Sequence, residues 1–222
     1  MTARSDHNLA FAPSIPPLGD RRKRRVGILG GSFNPAHAGH LHISRAALKA
    51  LQLDQIWWLV SPQNPLKSPR TMAPLAERLA IARAVADDRR IVVPDLECRL
   101  GSTRTALTLA RLAERYPRIS FVWLMGADNL AQCPRWWRWP RIFHTARVAV
   151  FDRSPYSYAA LAGAAAKRFA QARTGRPSAV WYRLLPAWTY IAIRRHPASA
   201  TALRTQDKLR TTQDLNSGDE HL

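Results

Sequence analysis

The chain has 222 residues, with 34 Lys and Arg against 15 Asp and Glu, a formal net charge of +19 at pH 7. That length suits one globular domain with a full core and argues against two large ones. No stretch approaches the roughly 20 continuous apolar residues of a membrane helix, and the N-terminus lacks the apolar run of a secretory signal. Cys98 and Cys133 lie far apart, which indicates neither a disulfide framework nor a zinc knuckle, and the expectation is a soluble cytoplasmic protein.

Of the basic residues 29 are Arg, and guanidinium suits bidentate capture of phosphate. An affinity for polyanions follows from the charge, although a solvated Arg-rich surface explains it without any partner. Residues 1–25 combine Pro13, Pro16 and Pro17 with the run Arg21–Arg25 and show no sustained period, as in a disordered basic tail. The domain is expected over 26–205, with a polar tail at 206–222.

Val26–Leu29 has the pattern of a buried strand and leads into a Gly-rich turn. A helix is predicted over 39–51, a strand at Ile56–Val60, a helix from Pro74 to about Asp88, and a strand at Ile91–Val93. A helix over 105–115 and a strand at Ile119–Leu124 follow, then a short Trp-rich helix near 135–141 and a strand at Val148–Phe151. The last part reads as an Ala-rich helix over 158–172, strands at Val180–Leu185 and Thr189–Ile193, and a closing helix from Ser199. This alternation predicts a single α/β domain, a doubly wound parallel sheet of Rossmann-like type. Such sheets bind ligands beyond the carboxyl ends of their strands, at the topological switch point.

The first strand ends in Gly30-Gly31-Ser32-Phe33-Asn34-Pro35-Ala36-His37-Ala38-Gly39-His40. This is neither a Walker loop nor G-x-G-x-x-G. Its glycines let backbone N–H groups approach an anion, and His37 and His40 are spaced to face one ligand from a helix start. Two donors beside a polyphosphate stabilise charge that develops during transfer. Alternatively, one His caps the helix and the other packs on the sheet. A zinc pair lacks a third ligand at suitable spacing.

The segment resembles the G-[ST]-F-x-P-x-H-x-G-H signature of the H-x-G-H nucleotidyltransferase superfamily. The resemblance implies that an acceptor phosphate attacks the α-phosphate of a nucleoside triphosphate in line, with His37 and His40 as catalytic residues and Gly30, Gly31, Ser32 and Phe33 near ATP. Ser199, Thr201 and Arg204 resemble the family's S-[ST]-T-x-x-R phosphate element; by themselves they equally describe an N-cap and a solvated Arg. Lys67, after the second strand, and Gly126 and Asp128, after the fourth, look like the phosphate- and ribose-binding segments of the nicotinate-nucleotide adenylyltransferase family. Trp136 and Trp139 match that family's W-x-x-W, which implies nicotinate stacking on Trp136, with Trp137 as second choice; a structural role is the alternative for such a cluster. Arg153 resembles the family's strand-and-Arg segment.

The sequence also departs from the family. Its Y-T-x-D-T-L element appears as Arg104-Thr105-Ala106-Leu107-Thr108-Leu109, keeping Thr105 for the mononucleotide but losing the Tyr and the Asp, and Cys133-Pro134 stand where Phe-His often occurs. The expected activity is adenylyl transfer from ATP to nicotinate mononucleotide. Mg²⁺ would be held mainly by the triphosphate, with no protein metal ligands. No membrane and no specific nucleic acid is expected as partner. Another adenylyl or cytidylyl transferase, acting for example on phosphopantetheine, and a non-catalytic nucleic-acid-binding protein are the alternatives.

Overall fold

Seven strands, all parallel, make one sheet in the order β3-β2-β1-β4-β5-β7-β6 in a computed structural model that describes residues 22–62, 72–96, 100–152 and 157–194. In chain order these residues form β1 (Arg24–Gly31), α1 (Ala38–Ala50), β2 (Gln55–Val60), α2 (Leu75–Val85) and β3 (Ile91–Val92). Next come α3 (Thr105–Arg115), β4 (Ile119–Gly126), α4 (Ala127–Gln132), α5 (Pro140–Thr145) and β5 (Arg147–Phe151). The last are α6 (Ser157–Leu161), α7 (Ala164–Arg168), β6 (Arg173–Thr174) and β7 (Trp188–Ile191). The predicted doubly wound sheet is thus present. Strand order reverses between β1 and β4, which pair with Leu29 opposite Leu124, so their glycine ends, Gly30-Gly31 and Gly126, meet at the switch point.

Central parallel strands are covered on both faces, so they read as continuous apolar runs. Side chains alternate between two cores. Val26, Ile28, Trp57, Leu59, Phe121 and Trp123 pack with α3 and α5. Leu29, Ile56, Trp58, Val60, Val122 and Leu124 pack with α1 and α2. Trp57 and Trp58 are adjacent, fully buried and on opposite faces.

Three expected elements differ. The Trp-rich helix is absent: Cys133–Arg135 form a 3-10 turn, and the next helix starts only at Pro140. Proline lacks an N–H and sits in a helix only at its first turn, so Pro134 and Pro140 partition the segment and leave Trp136–Trp139 in the turn between. The Ala-rich helix is split into α6, α7 and a 3-10 turn at Ala170–Ala172. The break falls at Gly163, where a Cβ would come 3.1 Å from the Ala159 carbonyl oxygen. The expected strand at Val180–Leu185 is a 3-10 helix, Pro177–Tyr182. There the Arg147 guanidinium donates to the carbonyls of Val180, Trp181 and Arg183 at 2.9, 3.3 and 3.1 Å, using acceptors that a strand would turn to its neighbour. Burial holds that guanidinium below the usual Arg range. The two-residue edge strand β6 carries no periodic signal and escaped prediction. Both expected tails lie outside the described residues apart from Arg22–Arg25, as does the closing helix. No helix of the described residues is long and apolar enough to cross a membrane.

Candidate active site

The site begins where β1 leaves the sheet. Gly30 has no room for a side chain, because a Cβ there would lie 2.2 Å from the Trp123 ring. Gly31 has such room, its nearest neighbour being the Phe33 ring at 3.6 Å. Phe33 then turns with φ +45°, a left-handed conformation that costs a non-glycine residue roughly 1–2 kcal/mol. Burial compensates: Phe33 is 1% exposed and stacks on Trp58 with centroids 5.2 Å apart. A cis Asn34-Pro35 bond completes the turn, and Asn34 Oδ1 accepts from the Ala73 N–H at 3.1 Å, drawing in the segment before α2.

The two histidines hold the start of α1. His37 is its N-cap, and its Nδ1 accepts from the Gly39 N–H at 3.0 Å. His40 Nδ1 accepts in return from the His37 N–H at 3.2 Å. This reciprocal box does for the helix what Ser and Glu do elsewhere. With Nδ1 an acceptor in both rings, the neutral imidazoles carry their protons on Nε2, so each presents a donor on the edge opposite the helix. The rings lie 4.0 Å apart, and His40 also leans on Phe33 at 4.6 Å. Capping and ligand contact were alternatives in the sequence; the geometry makes them compatible, because they use different nitrogens.

Arg78, on α2, gave no motif signal, yet it is 1% exposed. Its guanidinium donates to the carbonyls of Ser32 and Ser61 at 2.7 Å each, Pro62 at 3.0 Å and Ala73 at 2.8 Å. It therefore ties the turn after β1 to the segment after β2. The pattern that could have revealed it is an Arg at a position where the α2 periodicity turns inward, beside the buried Leu79 and Ala82.

Gly126 is the N-cap position of α4 and Asp128 lies in its first turn, with the Asp128 carboxyl partly buried at the end of β4. Across the rim, Thr105 opens α3 and is half-buried, while Thr108 keeps a buried hydroxyl without a hydrogen-bond partner. Trp136 is partly buried against the α3-side core, and Trp139 is fixed edge-on to Phe143 and Phe169. Trp137 is 41% exposed, and the guanidiniums of Arg104 and Arg138 lie over its ring at 4.9 and 4.8 Å. Two cations thus already engage the second-choice stacking residue. Lys67, Arg153, Ser199, Thr201 and Arg204 lie outside the described residues. The carbonyl of Arg194, the last described residue, is 2.7 Å from His42 Nε2 on α1, which brings the chain back beside the histidine turn. The described residues contain no group of three or more His, Cys, Asp or Glu able to hold a metal ion.

A family model described as cytidylyltransferase-like matches residues 28–206. A protein named probable nicotinate-nucleotide adenylyltransferase from Methylorubrum extorquens (strain PA1) is 50% identical over 184 residues, 82% of this chain and 100% of that protein. The chain belongs to the nicotinate-nucleotide adenylyltransferase family. A second member so named, from Gluconobacter oxydans (strain 621H), is 50% identical over 86% of this chain and 98% of its own length. The solved structure of Plasmodium falciparum nicotinic acid mononucleotide adenylyltransferase complexed with NaAD shares the fold, with a TM-score of 0.60 at 16% identity, covering 82% of this chain and 83% of that one. Membership of this adenylyltransferase family fits a histidine-capped turn at the switch point of a parallel sheet.

Proposed function

We infer that this chain is a nicotinate-nucleotide adenylyltransferase of NAD synthesis. It moves the adenylyl group of ATP to nicotinate mononucleotide and releases nicotinate adenine dinucleotide and pyrophosphate. The observation that carries the reading is half identity to family members along nearly their full length, joined to the paired imidazoles at the strand switch. A cytoplasmic location is part of this reading.

An oxygen of the mononucleotide phosphate attacks the α-phosphorus of ATP, the new P–O bond forms, and the α–β anhydride bond breaks opposite it. Pyrophosphate leaves with the electron pair, and no bond to the protein forms. Catalysis of this kind needs positioning and charge stabilisation. The Nε2 donors of His37 and His40 serve as the catalytic pair by hydrogen-bonding phosphate oxygens as their charge grows. Gly31, Ser32 and Phe33 shape the triphosphate cradle, while Gly30 admits the Trp123 ring behind it. Gly126 and Asp128 sit where a ribose diol would be held. Lys67, Ser199, Thr201 and Arg204 are assigned to ATP phosphates, and Thr105, Trp136 and Arg153 to the mononucleotide, on family resemblance. Mg²⁺ is assigned to the triphosphate, where it would neutralise phosphate charge. This suits an ion that keeps its waters and needs only one or two carboxylates.

The test is pyrophosphate release by the purified chain in a panel of ATP or CTP against nicotinate mononucleotide, nicotinamide mononucleotide and phosphopantetheine. Release that requires ATP and a pyridine mononucleotide supports the reading. Turnover only with CTP or phosphopantetheine, or none with any pair, overturns it.

A further inference from the structure

Nicotinate and nicotinamide mononucleotide have nearly the same shape and differ in one group, a charged carboxylate against a neutral carboxamide. A pocket that favours the acid places donors at the far end of the pyridine ring, and a guanidinium supplies both donor geometry and charge. We propose that Arg104 and Arg138, gathered on Trp137, are that element and select the acid over the amide. The proposal rests on the function inferred above and deepens it.

Arg104 is the residue before α3, next to Thr105, and Arg138 lies in the turn that follows Trp136. Helices of a parallel α/β sheet start at the carboxyl edge, so both belong to the rim that carries the mononucleotide residues. Their guanidinium carbons stand 4.9 and 4.8 Å from the centroid of one indole, which keeps them within about 10 Å of each other, a like-charge pair near a protein surface. Among the described residues neither guanidinium forms an ion pair or a side-chain hydrogen bond. Stacking on Trp137 orients the planar groups and leaves their N–H forks facing solvent, open to a ligand. A carboxylate accepts two such bonds side by side and removes the repulsion, whereas a carboxamide brings no charge.

Two further observations agree. Arg138, exposed on the rim, has φ +46°, a conformation disfavoured for a side-chain-bearing residue, so the turn holds it there at a backbone cost. Arg104 stands where the related motif carries Tyr, so this departure puts a cation next to Thr105. Trp137 acts as a positioning residue: it holds the cations and leaves pyridine stacking to Trp136.

The experiment measures kcat/KM with each pyridine mononucleotide for the wild type, Arg104→Gln, Arg138→Gln, the double variant and Arg104→Lys. Dissociation constants for the two mononucleotides come from titration calorimetry. The preference for the acid should fall about 10- to 100-fold in the double variant, the scale of a lost charged hydrogen bond. Arg104→Lys should retain part of the preference, and the KM for ATP should not follow. Equal losses for acid and amide, or an unchanged preference in both rate and affinity, overturn the proposal. A wild type inactive with both nucleotides instead overturns the function inferred above, which keeps the two failures apart.

Discussion

Arg78 offers the sharpest test of how the histidine turn, proposed to hold ATP, is built. Replacing it by Met keeps much of the apolar stem but removes every donor from four carbonyls that it now serves at 2.7 to 3.0 Å. Hydrogen bonds to a charged partner contribute about 1.5–3 kcal/mol each, but bonds sharing one guanidinium are not additive. Each partly buried carbonyl left without its donor costs about 1–3 kcal/mol, and with partial relaxation the four together come to roughly 3–5 kcal/mol. At about 2–4 °C per kcal/mol for a chain of this size, the melting temperature should drop by on the order of 10 °C. Because Ser32 follows the glycines of β1 and Ser61-Pro62 follow β2, the KM for ATP should rise at temperatures where the variant is fully folded. The KM for the mononucleotide should change less. Arg83→Ala, on the same helix but exposed, is the control. Thermal melts and initial rates at varied ATP decide the matter. An Arg78→Met melt within about 2 °C of wild type would refute the clamp. A lowered melt with an unaltered KM for ATP would confine Arg78 to structure alone.

His37→Asn keeps a good N-cap, so stability should fall by well under 1 kcal/mol, while kcat falls about 10²- to 10³-fold because the Nε2 donor is lost; a denaturant melt and a pyrophosphate assay separate the two. His40→Ala should cost about as much in kcat with a stability loss near 1 kcal/mol, and full activity in that variant would remove His40 from catalysis. Gly30→Ala drives a methyl into Trp123 and should destabilise by about 1–3 kcal/mol, whereas Gly31→Ala meets only an ordinary contact; equal melts for the two would contradict the packing. Burial pushes the Cys133 thiol up to about 12. The native protein keeps it neutral while the unfolded chain ionises it near 8.5, so its contribution is present below pH 8.5 and lost as pH rises, by about 2 kcal/mol between pH 8.5 and 10. Urea melts of wild type and Cys133→Ala at both pH values should differ by that amount, and parallel pH profiles would refute it.

The sheet was legible because its central strands are buried on both faces and bounded by Gly and Pro, which leaves little else for Val26–Leu29 or Ile119–Leu124 to be. The histidine turn was legible because the whole segment resembles a long family signature, and its two His at N-cap and N3 can also close a reciprocal cap. What escaped was either a local signal that was outweighed or a contact between residues distant in the chain. Arg78 sits where the α2 periodicity turns inward, but what it holds emerges only when the strand order brings Ser32 and Ser61 beside it. The Trp segment was read as one helix because its aromatic density outweighed Pro134 and Pro140, whose backbone rules decide the outcome. Gly30 has a packing reason that the sequence did not show: the space of its missing side chain is filled by Trp123, a residue 93 positions away whose approach depends on the β1–β4 register.

The histidine turn also explains why so small a motif suffices. A capping Ser or Thr must serve backbone and ligand from one oxygen atom, whose O–H rotates freely. Imidazole has two nitrogens on different edges, and a bond at one determines what the other presents. The two reciprocal bonds at the start of α1 therefore stabilise the helix and fix both Nε2 atoms as donors at once. They also couple the rings, because moving either one breaks a bond of the same box. Phe33 and Trp58 then lock His40 from the other side. No reorganisation is needed when charge develops at the site, which is the condition under which hydrogen-bond donors contribute most to rate.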